Sequence, residues 1–228
     1  YEYLDPTTGQ VTGFSTEVVR AVLRNIGISE VQVEIYPWAR AEREAFEGRV
    51  DGLYSMASTP ERREHLLFVE EPLLVESAVL FVRRDHPLTL NVTNVSDLGF
   101  LHLAAVRGYA YTPEIWQILN QSEKVEYSAT EGQSLLMLGR GRVEAVVAFR
   151  GVGLAEINRL GLEGQVAMLE DFQLFEHSFY IGFNKGRFSR QWVDTFSSNL
   201  LEFKLSEEYR KIYTKYFLPT ERLFYPSP

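Results

Sequence analysis

Apolar residues recur at helical spacing over residues 15–26, where Val18, Val19, Val22, Leu23 and Ile26 form one stripe and Gly27 stops it. Val31-Gln32-Val33-Glu34-Ile35-Tyr36 alternates apolar with polar, which predicts a strand. Pro37 suits the first turn of a second helix, running to about Glu47 and ended by Gly48. Val50 to Met56 is a short apolar run of strand length. Helix, strand, helix, strand at this pace points to βαβ units and a mainly parallel sheet.

The pattern has an internal echo. Ala45-Phe46-Glu47-Gly48-Arg49-Val50-Asp51-Gly52-Leu53 is answered by Leu138-Gly139-Arg140-Gly141-Arg142-Val143-Glu144-Ala145-Val146. Each reads as a helix end, a Gly-Arg-Val-acid turn and a buried strand, so two α/β lobes of similar plan are expected. Ala78–Arg84 and Phe179–Asn184 are strand-like and bracket the second lobe, and two amphipathic helices follow at about 188–203 and 206–216. The economical arrangement has the chain leave lobe 1, build lobe 2 and return. The boundaries expected are 1–83 plus 180–228 for a discontinuous lobe 1, and 84–179 for lobe 2. Two crossing strands would make a hinge, with a ligand cleft between the lobes.

Charge removes one group of functions. The 228 residues carry 23 Lys+Arg against 31 Asp+Glu, a formal charge of −8, which argues against an electrostatic grip on nucleic acid or anionic lipid. With 45% hydrophobic and 24% charged residues, the composition is that of a packed globular chain. No apolar run approaches the roughly 18–20 residues a membrane helix needs. There is no cysteine, which excludes disulfides and thiolate chemistry, and the four histidines are scattered rather than paired at ligand spacing. No metal and no cofactor are expected. The chain opens abruptly on Tyr1-Glu2-Tyr3, as an exported precursor without its leader would.

Three segments can carry chemistry. Thr59-Pro60-Glu61-Arg62-Arg63 starts a helix, with Thr59 as cap and Pro60 at the first position. Two arginines there oppose the helix dipole, and an anionic ligand would reverse that sign. The alternative is that both point to water or pair with Glu61, Glu64 or Glu70. Trp38 opens the second helix on the stripe shared with Ala41 and Ala45, which fits a core residue; a strand-to-helix turn also presents side chains to ligands. Val106-Arg107-Gly108-Tyr109-Ala110-Tyr111-Thr112-Pro113 is a strand, a glycine turn and a second Pro-initiated helix, with two aromatics able to stack or to pack. Phosphate-loop, dinucleotide and nucleophile-elbow motifs are absent. Two sequons, at Asn91 and Asn94, are too cheap a pattern to carry weight.

Together, Gly13-Phe14-Ser15-Thr16-Glu17, Gly48-Arg49-Val50-Asp51-Gly52, Thr59-Pro60-Glu61-Arg62, Phe68, Pro72-Leu73, Gly108, Gly141-Arg142-Val143-Glu144 and Tyr209-Arg210-Lys211-Ile212-Tyr213 resemble family 3 extracellular solute-binding proteins, over nearly the whole chain. The resemblance implies a periplasmic binding protein-like type II fold. It also implies a periplasmic receptor for polar amino acids, serving an ABC transporter's membrane subunits, monomeric and not an enzyme. Tyr36-Pro37-Trp38-Ala39-Arg40-Ala41 marks a divergent branch.

Carried over residue by residue, Arg62 matches the arginine that clamps a ligand carboxylate. Ser55 and Ala57 stand in the strand leading to it, Ala57 offering a backbone N–H. Trp38 matches a pocket-wall side chain, Ala110 falls where a threonine often completes the carboxylate site, and Tyr109 packs the ligand's body. The family's ammonium-binding aspartate corresponds to Phe149, with Arg150 beside it. An apolar wall there cannot pair a buried ammonium, so the ligand expected is a small carboxylate, amino acid-like or an organic or aromatic acid. The family's first strand and a pocket aromatic fall before Tyr1. Two rival readings accompany this one: the ligand-sensing domain of a membrane receptor or kinase, and a cyclohexadienyl dehydratase-like enzyme with Glu17 or Glu144 as its acid.

Overall fold

The computed structural model describes residues 2–85, 92, 94–122 and 124–217. Asn91 and Thr93 of the first sequon, His86 and residues 218–228 therefore lie outside the described residues. By packing, the chain forms two units, one of residues 1–36, 41–74 and 178–228, the other of residues 37–40 and 75–177. The expected boundaries at 83/84 and 179/180 thus move to 74/75 and 177/178. The cause is that Ala78–Val82 pair with a strand of the second unit rather than lying between units.

In the first unit a two-residue hairpin, β1 (Tyr3–Leu4) with β2 (Val11–Thr12), precedes helix α1 (Phe14–Asn25). The α1 stripe is buried as its period demands: Phe14, Val18, Val19 and Val22 join one core with Ile181, Phe183, Phe196 and Leu200. Helix α2 (Trp38–Phe46), strand β3 (Gly52–Ala57), helix α3 (Pro60–His65) and strand β4 (Leu66–Phe68) follow. Both β3 and β4 pair antiparallel with the end of the long strand β9 (Val166–Asn184). Helices α7 (Arg190–Lys204) and α8 (Glu207–Phe217) close the unit against α1. The strand expected at Val31–Tyr36 does not form. Side-chain exposure alternates over Val31–Glu34 as the period predicts, yet the segment joins no ladder among the described residues. Alternation encodes which face is covered, and pairing needs a neighbour that sequence periodicity does not supply.

The second unit is built on β5 (Leu74–Arg83), β6 (Leu103–Val106), β7 (Val125–Ser128) and β8 (Ala145–Phe149), with helices α4 (Pro113–Gln121), α5 (Glu131–Gly139) and α6 (Arg150–Leu160). Strand β6 runs parallel to β7 and β8, whereas β5 is antiparallel to β8. Together with the antiparallel pairs of the first unit, this makes the sheet mixed rather than mainly parallel. Successive residues of β5, β6 and β8 serve opposite faces. Leu80, Val82, Leu103, Ala105, Ala145 and Val147 enter one core, and Val79, Phe81, Ala104, Val146 and Ala148 the other. Strands covered on both faces read as continuous apolar runs, which is why they were legible. On the second face α6 packs close because Gly153 has no side chain: a Cβ there would lie 2.2 Å from Phe81 Cζ.

Candidate functional site

In the first unit the two arginines of α3 separate. Thr59 caps the helix, its Oγ1 accepting from the Arg62 N–H at 3.2 Å, so that N–H is used by the fold rather than offered to an anion. Arg62 turns inward and is 5% exposed. Its Nε donates to Glu42 Oε1 at 2.7 Å and its Nη1 to the Ala57 carbonyl at 3.0 Å. Arg63 turns outward, donating to Ser58 Oγ, pairing with Glu70 at 3.4 Å and lying over the Phe68 ring. Of the expected partners Glu61, Glu64 and Glu70, Glu70 pairs with Arg63. Arg62 pairs with Glu42, on α2.

Ser55 lies in the same strand, at a register shift between Leu53 and Met56. Its φ of 57° places a non-glycine residue in the left-handed region, a conformation that costs on the order of 1–2 kcal/mol. The local compensation is a pair of side-chain bonds, Oγ donating to Glu2 Oε1 at 2.6 Å and meeting Ser15 Oγ at 2.8 Å. Tyr54 beside it bonds Thr16 Oγ1 at 2.8 Å. Burial pushes the Tyr54 phenol well above its ordinary range.

The second unit holds Trp38, Tyr109, Ala110, Phe149 and Arg150. Pro37–Arg40 belong to it because Trp38 packs on the turn after β6. The indole stands edge-on to Tyr109, ring centroids 6.2 Å apart, and lies over Gly108. Gly108 has φ 80°, which the turn asks of a glycine, and a Cβ there would lie 3.2 Å from Trp38 Cδ1, a close approach to the indole. Phe149 is buried and ringed by Tyr109, Phe175 and His177 at 6.0–6.2 Å. Ala110 is half-buried in the loop before α4, and Arg150 is half-buried at the start of α6. The N-cap residue of α6 is Phe149, which has no side-chain acceptor; Glu76 Oε2 accepts from the Gly151 N–H at 3.0 Å instead.

Two acids that sequence reasoning did not single out support these residues. Glu42 has a weak signal, an acid four residues after Trp38 on the helix whose stripe is Trp38, Ala41 and Ala45. Glu131, the first residue of α5, is buried and accepts from the Tyr109 hydroxyl at 2.5 Å. Burial pushes its carboxyl upward, against the lowering effect of that hydrogen bond. An acid following the cap Thr130 reads as ordinary helix chemistry, so nothing local marks it as internal. The two acids weighed for catalysis are both hydrogen-bonded. Glu17 accepts from Lys215 and Tyr216, and Glu144 from the His102 N–H.

A mixed α/β chain in two units, with a buried arginine and an aromatic cluster, is the framework of a small-molecule binding protein of the periplasmic type II fold. Residues 1–219 match bacterial extracellular solute-binding proteins, family 3, and the chain belongs to that family. It is 24% identical over 169 residues to the probable amino-acid-binding protein YxeM of Bacillus subtilis (strain 168), covering 73% of this chain. The match spans 62% of that relative's length. Among solved structures, an ancestral arginine-binding protein bound to arginine superposes with TM-score 0.80 at 20% identity, over 95% of this chain and 92% of the other. A histidine kinase sensor domain with similarity to periplasmic binding proteins superposes with TM-score 0.79 at 20% identity, over 95% and 90%. The family is extracellular, and among the described residues no helix is long and apolar enough to cross a membrane.

Proposed function

We propose that this chain is an extracytoplasmic receptor that closes on a small carboxylate-bearing ligand, an amino acid or a related organic acid, and delivers it to an ABC transporter. The observation that carries the reading is Arg62. A guanidinium this buried, fixed through Nε and Nη1, is a pre-oriented cation, and orientation settled before binding is entropy the ligand does not have to supply. Family membership and the amino-acid-binding relative support the ligand class. Trp38, Tyr109, Ala110 and Phe149 would contact the ligand's body, with Ser55, Ala57 and Arg150 at its polar edges. Closure is then a population shift in favour of the ligand-contacting state.

The test is a thermal-shift screen pairing amino acids with the same acids lacking the amine, on the wild type and on Arg62→Ala. A ligand that binds only the folded state raises Tm by mass action. At least one carboxylate should stabilise the wild type, and Arg62→Ala should weaken its binding by about 2–5 kcal/mol, as truncating a buried charge partner does. An affinity unchanged in that variant overturns the anchor. A second reading, a sensor domain, is favoured by the likeness to the kinase sensor domain. Sequence flanking this chain in its full-length protein separates the two, since a sensor is followed by a membrane span and a signalling domain.

A further inference from the structure

Both tyrosine hydroxyls of the turn after β6 are hydrogen-bonded within the protein. Tyr111, buried, accepts the Val106 N–H at 2.8 Å. Tyr109 donates to Glu131 at 2.5 Å, and Glu131 is 6% exposed at the first position of α5. The Thr130 cap holds the start of that helix, with Oγ1 accepting from the Gln133 N–H. Tyr109 is thus pinned at its polar end, while its ring meets Trp38 at 87° and Phe149 at 38°.

A phenol has one O–H, and once that proton is donated inside the fold the side chain offers a ligand its ring but no hydrogen-bond donor. We infer that Glu131 sets the selectivity of the site: by taking the Tyr109 hydroxyl proton it leaves Trp38, Tyr109 and Phe149 as a wall of ring faces without a phenolic donor, suited to a carboxylate with an apolar or aromatic body. The inference rests on the proposed function, in that it takes these three rings to touch the ligand. Glu131 is a positioning residue on this account and does not itself contact the ligand.

Calorimetry with L-phenylalanine, 3-phenylpropanoate and L-glutamine tests it on the wild type, Tyr109→Phe, Glu131→Gln, Glu131→Ala and Arg62→Ala. The wild type should bind the better phenyl probe at least about tenfold tighter than glutamine, a discrimination apolar pockets reach. Tyr109→Phe alters a ring taken to touch the ligand and should shift the affinities of all probes together, moving their ratio by less than about threefold, because the hydroxyl it removes faces Glu131. Glu131→Gln should keep it too, since an amide oxygen accepts the same bond. Glu131→Ala should narrow the ratio by about tenfold, because the released hydroxyl becomes a partner for polar ligands. A wild type that prefers glutamine overturns the inference. So does a Glu131→Ala variant that weakens all probes equally, which is the mark of a purely structural residue. Should Glu131→Ala not fold, Tyr109→Phe still decides, since a ratio moved beyond threefold puts the hydroxyl within the ligand's reach. Arg62→Ala separates the two levels: a variant binding the probes as the wild type does defeats the proposed anchor, whatever the ratios. A wild type that binds none of the probes defeats both.

Discussion

Glu42 and Arg62 lie twenty residues apart in sequence and meet at 2.7 Å, carboxylate Oε1 to guanidinium Nε. The pair is lopsided. The Arg62 side chain is 6% exposed and that of Glu42 is 24% exposed. Arg62 therefore depends on Glu42 for its charge balance far more than Glu42, which can be hydrated from its open side, depends on Arg62.

That asymmetry predicts an order of stabilities. Glu42→Ala leaves a desolvated guanidinium without its carboxylate and should cost about 2–3 kcal/mol, below the roughly 3–5 of a fully buried pair because water can reach the vacated space. Arg62→Met removes the buried charge, keeps most of the volume and leaves a carboxylate that can turn to water, so its cost should stay under about 1 kcal/mol. Urea unfolding midpoints measure both. If Arg62→Met proves the more destabilising, the pair is not organised by the burial of its arginine.

A second ion cluster predicts how stability follows pH. Glu17 Oε1 accepts from Lys215 Nζ and the Tyr216 hydroxyl, both at 2.5 Å, tying α1 to α8. Burial raises the Glu17 carboxyl, but the hydrogen bonds from Lys215 and Tyr216 outweigh it, and the net position is below the ordinary 4.5. A lowered carboxyl contributes stability above its unfolded value and loses it as pH falls through the folded one. The Lys215 bond to Glu17 pushes that ammonium up to about 12 from 10.5, so its share is present below 10.5 and fades as pH rises through 12. The cluster should therefore stabilise α8 between about pH 4.5 and 10.5. Its partners are largely open to water, which holds the total to about 1 kcal/mol. Unfolding free energies of wild type and Glu17→Gln, followed from pH 7 to pH 3, should converge on acidification. A gap that stays constant to pH 3 removes Glu17 as its source.

What sequence could and could not show divides along local and non-local lines. Thr59-Pro60 and Thr112-Pro113 start α3 and α4, as their chemistry requires within a few residues. Val18, Val19, Val22 and Leu23 of the α1 stripe are buried as their period marked, while Ile26, just past the helix end, is half-buried. The apolar runs at Ala78–Val82 and Ala145–Phe149 are strands, and they pair with each other. Val31–Tyr36 misleads because alternation records exposure while a ladder needs a partner edge. Glu42 and Glu131 were missed for one reason: each is an acid on a helix, Glu131 at its first position and Glu42 midway along, where a charged residue is ordinary and only packing shows what it faces. Trp38 was weighed as core against pocket wall, and the packing that decides its neighbours, on Gly108 and Tyr109, is seventy residues away in the chain and invisible to any local pattern.

Gly153 allows a prediction in which two effects of opposite sign compete. Replacing a helix-interior glycine by alanine ordinarily stabilises by about 1 kcal/mol, through better helix propensity and a less free unfolded chain. Here the added methyl would stand 2.2 Å from Phe81 Cζ and 2.3 Å from Cε2. Phe81 is fully buried on β5, within a strand held by β8, so the ring has little room to retreat. Overpacking a filled core costs about 1–3 kcal/mol, and a contact this short belongs at the upper end. The clash should win, with Gly153→Ala lowering stability by about 1–2 kcal/mol. Phe81→Leu removes the ring atoms that the methyl would strike, so the double variant should be less destabilised than the sum of the two singles. Unfolding midpoints of the four proteins close that cycle. Strict additivity would mean that the approach of α6 to β5 is not what the glycine is there to permit.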